Sequence, residues 1–155
     1  MPMTPTITLA GFDDTRVTDL IQYHRTTARA ETADGCAFSL DLEGLRTPDI
    51  RLWTIWEDEM LLGMGALKRL SADHGEIKSM HTDKNARRKG AGAAMLRHIM
   101  DVAKAEGMTR LSLETGSWDY FKPAVALYAA RGFVQCPPFG DYPDIPSSLF
   151  MTCEL

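Results

Sequence analysis

The segment NARRKGAGAAML, residues 85–96, runs two arginines and a lysine directly into Gly-Ala-Gly, and an alanine-rich apolar stretch follows at once. A helix start leaves backbone N–H groups unpaired and carries the positive end of the helix dipole, so it is a natural seat for an anion. Gly90 and Gly92 let the main chain approach such an anion without Cβ interference, and Arg87, Arg88 and Lys89 add full charges. The pattern points to a pyrophosphate grip; the plainer reading is a solvated charge run beside an ordinary helix cap.

Two named phosphate loops do not fit. No Gly-x-x-x-x-Gly-Lys-Ser/Thr run exists. A dinucleotide fingerprint needs Gly-x-Gly-x-x-Gly directly after a strand, but Met95 holds the third glycine position and seven residues separate Thr82 from Gly90. A dinucleotide-binding oxidoreductase therefore ranks last. His81-x-Asp83 and His74-x-Glu76 are too sparse for a metal site, so the histidines read as isolated surface residues and catalysis as metal-free. No Gly-x-Ser-x-Gly nucleophile elbow is present.

Composition narrows the class. At 155 residues and 45% hydrophobic content the chain suits a single domain, residues 1–155, with one core. A net charge of -4 argues against a nucleic-acid surface and makes the basic cluster a local feature. Cys36, Cys136 and Cys153 are far apart and odd in number, which fits a reducing compartment. The N-terminus lacks the pattern of a signal peptide, and no apolar run approaches the ~20 residues of a membrane span. The expectation is a soluble, cytoplasmic protein that acts on neither membrane nor nucleic acid.

The elements that must hold the basic-glycine segment can be read from periodicity. TITLAGF reads as a first strand, and Asp13 or Asp14 caps a helix to about Ala30 whose face is Val17, Leu20, Ile21 and Tyr23 or His24. Residues 35–50 are punctuated by Gly and Pro and read as loop with at most one short helix. IRLWTIWE, EMLLGMGALKRL and GEIKSMHT are strands with short connections, hence an antiparallel meander. On the last of these, Glu76, Lys78, Met80 and Thr82 alternate to one face. A helix from about Gly90 to Glu106 follows, with Met95, Leu96, Ile99, Val102 and Ala103 inward and Gly107 as stop. TRLSLET is a strand; a second helix runs from Pro123 to Gly132 with Ala124, Leu127, Tyr128 and Arg131 as its face. GFVQC and SSLFMTCEL close the chain as strands joined by PPFGDYPDIP. The fold class is a mixed α/β domain, antiparallel at the start, with a parallel pair around the basic-glycine helix.

With these segments in place, Arg87-Arg88-Lys89-Gly90-Ala91-Gly92 resembles the Arg/Gln-x-x-Gly-x-Gly/Ala signature of the GNAT superfamily of N-acetyltransferases. EIKSM before it, LSLETG after it and LYAARGF further on are similar to segments of small bacterial members, some carrying an indole-acetate-type label. The resemblance implies the GNAT fold, whose central parallel strands splay around acetyl-CoA, and an acetyl-CoA-dependent N-acetyltransferase acting by direct attack in a ternary complex. Met80 and Thr82 would supply backbone to the pantetheine arm, and Arg87, Arg88, Lys89, Gly90, Ala91, Gly92 and Ala93 would hold the pyrophosphate. Tyr128 matches the position of the acid and Glu76 that of the base, with an exposed strand carboxylate as the alternative for Glu76. Many relatives carry an asparagine after the following strand; here the sequence is TGSWDY, and Ser117 is at most a substitute.

The acceptor would be an amine of a small molecule or peptide. Glu114, Trp118, Asp141 and Tyr142 are its candidate contacts, Glu114 also as an alternative to Glu76 for the base and Asp141 as partner to a cationic amine, while Trp53, Trp56 and Phe139 line an aromatic pocket or the core. Many members of that family dimerise, and nothing in the sequence identifies an interface. The alternative is a module that binds acyl-CoA without catalysis; Tyr128 and Glu76 favour the enzyme.

Overall fold

Alternating and continuous apolar runs in the middle of the chain form strands, and the runs of helical period cover them. The computed structural model describes residues 5–31, 40, 42–83 and 90–155. In chain order the elements are β1 (Thr6–Leu9), α1 (Thr15–Ala30), α2 (Leu42–Leu45), β2 (Ile50–Glu57), β3 (Met60–Arg69) and β4 (His74–Thr82). There follow α3 (Ala91–Ala105), β5 (Arg110–Gly116), a 3-10 turn (Asp119–Phe121), α4 (Lys122–Ala130), β6 (Val134–Cys136) and β7 (Ser148–Glu154). The strands make one sheet in the order β1-β2-β3-β4-β5-β7-β6. β1 to β4 form the expected antiparallel meander; β4 and β5, joined through α3, are the parallel pair. No helix of the described residues is long and apolar enough to cross a membrane.

Each face of the sheet buries its own cluster. On one, Met95, Leu96, Ile99 and Ala103 of α3 and Tyr128 of α4 pack on Leu67, Ile77, Leu111 and Leu113. On the other, Val17, Leu20 and Ile21 of α1 pack on Met64, Ala66 and Leu52. Asp14 caps α1 by accepting from the Arg16 N–H at 2.9 Å. Arg131 does not belong to the buried face of α4: it is the exposed C-cap residue. The end of α3 is tied to the sheet by Glu106, which accepts from Arg51 twice at 2.6 Å and from Arg69 at 3.1 Å.

Two irregularities of β4 shape the site. Between Ala66↔Lys78 and Met64↔His81, two steps on β3 oppose three on β4, and Ser79 adopts φ 53 in the left-handed region. This bulge inserts one residue and reverses the alternation beyond it. Lys78 and His81 therefore face the α1 side with their partners Ala66 and Met64, while Met80 turns to α3, close to Met95 and Ile99 over Gly65. The expected single face of Glu76, Lys78, Met80 and Thr82 is thus corrected: the first two lie on one face and Met80 and Thr82 on the other. The second irregularity is separation. β4 and β5 pair only from His74↔Arg110 to Ile77↔Leu113, after which β4 stays with β3 and β5 with β7.

Gly65 is where α3 comes down on the sheet, since a Cβ there would stand 2.6 Å from Met95 Cγ and 2.7 Å from Met80 Sδ. Gly65→Ala should lower stability by about 1–3 kcal/mol through overpacking. Gly11→Ala, whose Cβ would meet nothing within 4 Å, should stay within about 0.5 kcal/mol. Urea midpoints at constant m-value check both, and equal midpoints would refute the close approach.

Candidate active site

A cleft of 670 Å³ opens where β4 and β5 part, walled by both strand ends, the starts of α3 and α4, α1, and the loop between β6 and β7. Because the sheet itself is split there, the cleft reaches both of its faces.

At the α3 end, Gly90 is the N-cap in the left-handed region with φ 77, and it offers no side-chain hydrogen bond to the helix. The amides of Ala91, Gly92 and Ala93 thus begin the helix without a side-chain cap and border the cleft. A Cβ on Gly92 would stand 3.3 Å from Leu127 and 3.4 Å from Thr82 Oγ1, so glycine keeps this narrow passage open. Met80 and Thr82 line the same passage, and Met80 also packs against the α3 core. Arg87, Arg88 and Lys89 lie outside the described residues.

On the opposite face sits a buried polar cluster. Lys78 Nζ donates to Glu76 Oε2 at 3.1 Å and to the Tyr142 hydroxyl at 2.7 Å, and that hydroxyl donates to the same Oε2 at 2.5 Å. The Lys78 and Glu76 side chains are only 10% and 4% exposed, so Glu76 is no surface carboxylate. Burial of such a pair is tolerated because each group has its complement. Tyr142 packs on Phe139 and Phe150, which seats the loop between β6 and β7 on the sheet. Burial, then the neighbouring Glu76 carboxylate, pushes the Tyr142 phenol far above its usual range.

Glu114 completes the group. Glu76 pairs with Ser112 across the parallel ladder, so Glu114, two residues further along β5, shares its face. Burial raises the Glu114 carboxyl above its usual range, against the pull of the nearby Ser148 hydroxyl and the Lys78 charge, and the Glu76 charge adds to the rise. Tyr128 reaches the cleft from α4 and is 5% exposed; burial, then Glu114, lifts its phenol so that it stays protonated through neutral pH.

Other expectations fare differently. Trp118 is 52% exposed and lies outside the cleft, in a shallow depression with Glu31, Asp119 and Tyr120. Asp141 is exposed and absent from the cleft wall; the loop contributes Tyr142 instead. Ser117 donates to the Pro146 carbonyl at 2.5 Å, so its hydroxyl is engaged within the protein. Trp53 belongs to the core, and Arg16 lies over Trp56 at 4.5 Å.

The histidines are not isolated. His24 of α1 and His81 of β4 meet Nδ1 to Nδ1 at 3.0 Å in the cleft wall, with rings edge-on. His74 Nε2 bonds Ser112 Oγ at 2.7 Å, and His98 packs edge-on against Trp53. The pair of His24 and His81 escaped the sequence reading because they stand 57 positions apart and the bulge alone turns His81 toward α1. Burial, and secondly His81, lowers the His24 pKa to about 3.

A mixed sheet whose parallel strands part over a bare helix start is an architecture that this chain shares with solved acyltransferase structures. A family model described as the Acetyltransferase (GNAT) family matches residues 17–133. The chain is 44% identical to the uncharacterized N-acetyltransferase YsnE of Bacillus subtilis over 90% of this chain and 93% of that protein. It is 41% identical to the uncharacterized N-acetyltransferase YedL of Escherichia coli over 88% and 86% of the two chains. Among solved structures, a Klebsiella pneumoniae protein assigned to the acyl-CoA N-acyltransferases is 27% identical with TM-score 0.80, covering 98% of each chain. A Bacillus subtilis acetyltransferase in complex with CoA shares the fold at 17% identity and TM-score 0.73, over 98% of this chain and 99% of that one. The chain belongs to the GNAT acetyltransferase family and is an acyltransferase.

The His24 environment predicts an acid-sensitive fold. Its folded pKa lies below the ordinary histidine value of 6.5, so its contribution is present above pH 6.5 and is lost as pH falls toward 3. At pH 5 the loss should be about 2 kcal/mol relative to neutral pH. His24→Gln should show a correspondingly smaller drop in urea unfolding between pH 7.5 and 5; an identical drop would refute the burial of a neutral imidazole.

Proposed function

We propose that the protein transfers an acetyl group from acetyl-CoA to an amine of a small molecule or peptide by direct attack within a ternary complex. The observation that carries this reading is the meeting, at the parted strands, of a helix start free of side-chain caps with buried carboxylates and the Tyr142 phenol on the opposite face. Family membership and the CoA-bound relative of the same fold support the donor.

The donor fits what these residues offer. The amides from Gly90 to Ala93 would receive its pyrophosphate, with Arg87, Arg88 and Lys89 adding charge. The ends of β4 and β5 lack each other as ladder partners beyond Ile77 and Leu113, so Met80 and Thr82 can offer main-chain groups to the pantetheine arm. The donor brings an acetyl group activated as a thioester.

The chain's own residues manage the protons. Attack forms a C–N bond and breaks the C–S bond; the amine loses a proton and the sulfur gains one. Both hydrogen bonds of Glu76 go to Oε2, which leaves Oε1 to take the amine's proton, directly or through water. Lys78 and Tyr142 fix that carboxylate. Tyr128 donates to the sulfur as its charge develops; since burial makes full ionisation of the phenol costly, its proton is surrendered only as the C–S bond breaks.

Acetyl-CoA or CoA at about 100 times its dissociation constant should stabilise the protein by ~2.7 kcal/mol, and NAD should not. Thermal unfolding with the three ligands in parallel checks this, and no response to either coenzyme A form would remove the donor site. Tyr128→Phe should lower kcat by about 10²-fold or more while leaving acetyl-CoA stabilisation intact. Wild-type turnover by that variant would sink the assignment.

A further inference from the structure

We propose that Glu114 is the seat of the acceptor's ammonium group, and that the cleft selects amines bearing no carboxylate beside the nitrogen over the corresponding amino acids. The inference rests on the acyltransferase reading above and names the substrate class of that cleft.

Ahead of the bulge at Ser79, Glu76 and Lys78 lie together on the α1 side, and the parallel register sets Glu114 on that same side of β5. Among the described residues of the cleft wall, these are two carboxylates and one ammonium. His24, which shares a hydrogen bond with His81, is held neutral at neutral pH and adds no positive charge.

Lys78 is already committed. Two of its N–H groups serve Glu76 and Tyr142, and its side chain is 10% exposed. Glu76 and Lys78 thus neutralise each other, and the wall retains one carboxylate without a cation of its own: among the described residues no lysine or arginine lies within ion-pair distance of Glu114. A charge so placed, in a site of restricted solvent, is completed by a ligand ammonium. A ligand carboxylate beside the reacting nitrogen would instead meet Glu114 and Glu76, with Lys78 engaged elsewhere. Rejection of the amino acid is therefore built from repulsion as much as from missing attraction. The remaining wall, including Tyr120, Phe121, Leu40 and Ala28, suits an aromatic or aliphatic body.

The test is a matched panel run with acetyl-CoA and the full chain: phenethylamine with phenylalanine, tyramine with tyrosine, tryptamine with tryptophan, and isoamylamine with leucine. Release of free coenzyme A thiol gives kcat and KM for each. The amine should exceed its amino acid by about 100-fold or more in kcat/KM in every pair that reacts. Glu114→Gln should raise KM for the amine at least about tenfold with a smaller change in kcat and should narrow the ratio between amine and amino acid; Glu114→Asp should recover part of the KM. Acetyl-CoA stabilisation of both variants reports that they are folded. Equal or preferential use of the amino acids, or an unchanged KM in Glu114→Gln, overturns the inference. Acetyl-CoA stabilisation of the wild type with no member of the panel acetylated also overturns it and leaves the donor site standing. If acetyl-CoA does not stabilise the wild type, the underlying reading falls as well.

Discussion

The rest of the structure depends on the short life of the parallel pairing between β4 and β5. Four residue pairs join them, and then each strand keeps its outer neighbour: β4 remains on β3 as far as Gly63↔Thr82, and β5 remains on β7 as far as Gly116↔Ser148. Both strand ends are thus anchored on one side while their facing edges are released from each other. Unpaired backbone polar groups cannot be left dry, so such an opening is stable only where water or a polar ligand completes them. Gly63 helps to hold the arrangement, because a Cβ there would stand 2.6 Å from the His81 carbonyl oxygen and push the end of β4 away.

The bulge at Ser79 divides the labour between the two sheet faces. Without the extra residue, His81 would point toward α3 and Met80 toward the polar chamber. With it, the sulfur of Met80 fills space over Gly65 between α3 and the sheet, and His81 reaches His24 on α1. The single residue therefore completes an apolar layer on one side and a polar wall on the other. That polar wall tolerates burial of Glu76 and Lys78 because Tyr142 arrives from a distant loop to satisfy both, and the aromatic stack of Phe139, Tyr142 and Phe150 fixes where it arrives.

Most of the architecture was legible from periodicity. IRLWTIWE coincides with β2, and the α3 pattern with its Gly107 stop comes within a residue or two of the observed helix. The bulge leaves only a slight trace in GEIKSMHT, where Lys78 and Ser79 are consecutive polar residues and Ile77 and Met80 stand three apart, and only the register against β3 displays the inserted residue. The error about the shared face of Glu76 and Met80 follows from that alone. Tyr142 was legible as a loop aromatic, but the choice between it and Asp141 depended on loop geometry that no local pattern encodes. Trp118 lies outside the cleft for a related reason: it precedes the 3-10 turn at Asp119, and that turn carries Tyr120 and Phe121 to the cleft wall.

A sheet normally separates the chemistry of its two faces, because a closed ladder of hydrogen-bonded strands is impassable to a side chain or a ligand. Here the helix start that suits phosphate lies on the α3 face, and the carboxylates that suit an amine lie on the α1 face. The two can act on one pair of reacting atoms only where the ladder is open, just beyond Ile77 and Leu113. Tyr128, buried on the α3 side yet within reach of the Glu114 charge, stands at that opening from one side as Glu76 does from the other. Under the proposed reaction the reacting carbon would be confined to a zone that topology defines: deeper along the strands the ladder closes, and farther out solvent returns. In the proposed ternary complex a donor threaded from the helix start and an acceptor entering from the α1 face would approach from opposite sides of the sheet, which would leave room for both at once, as direct attack requires.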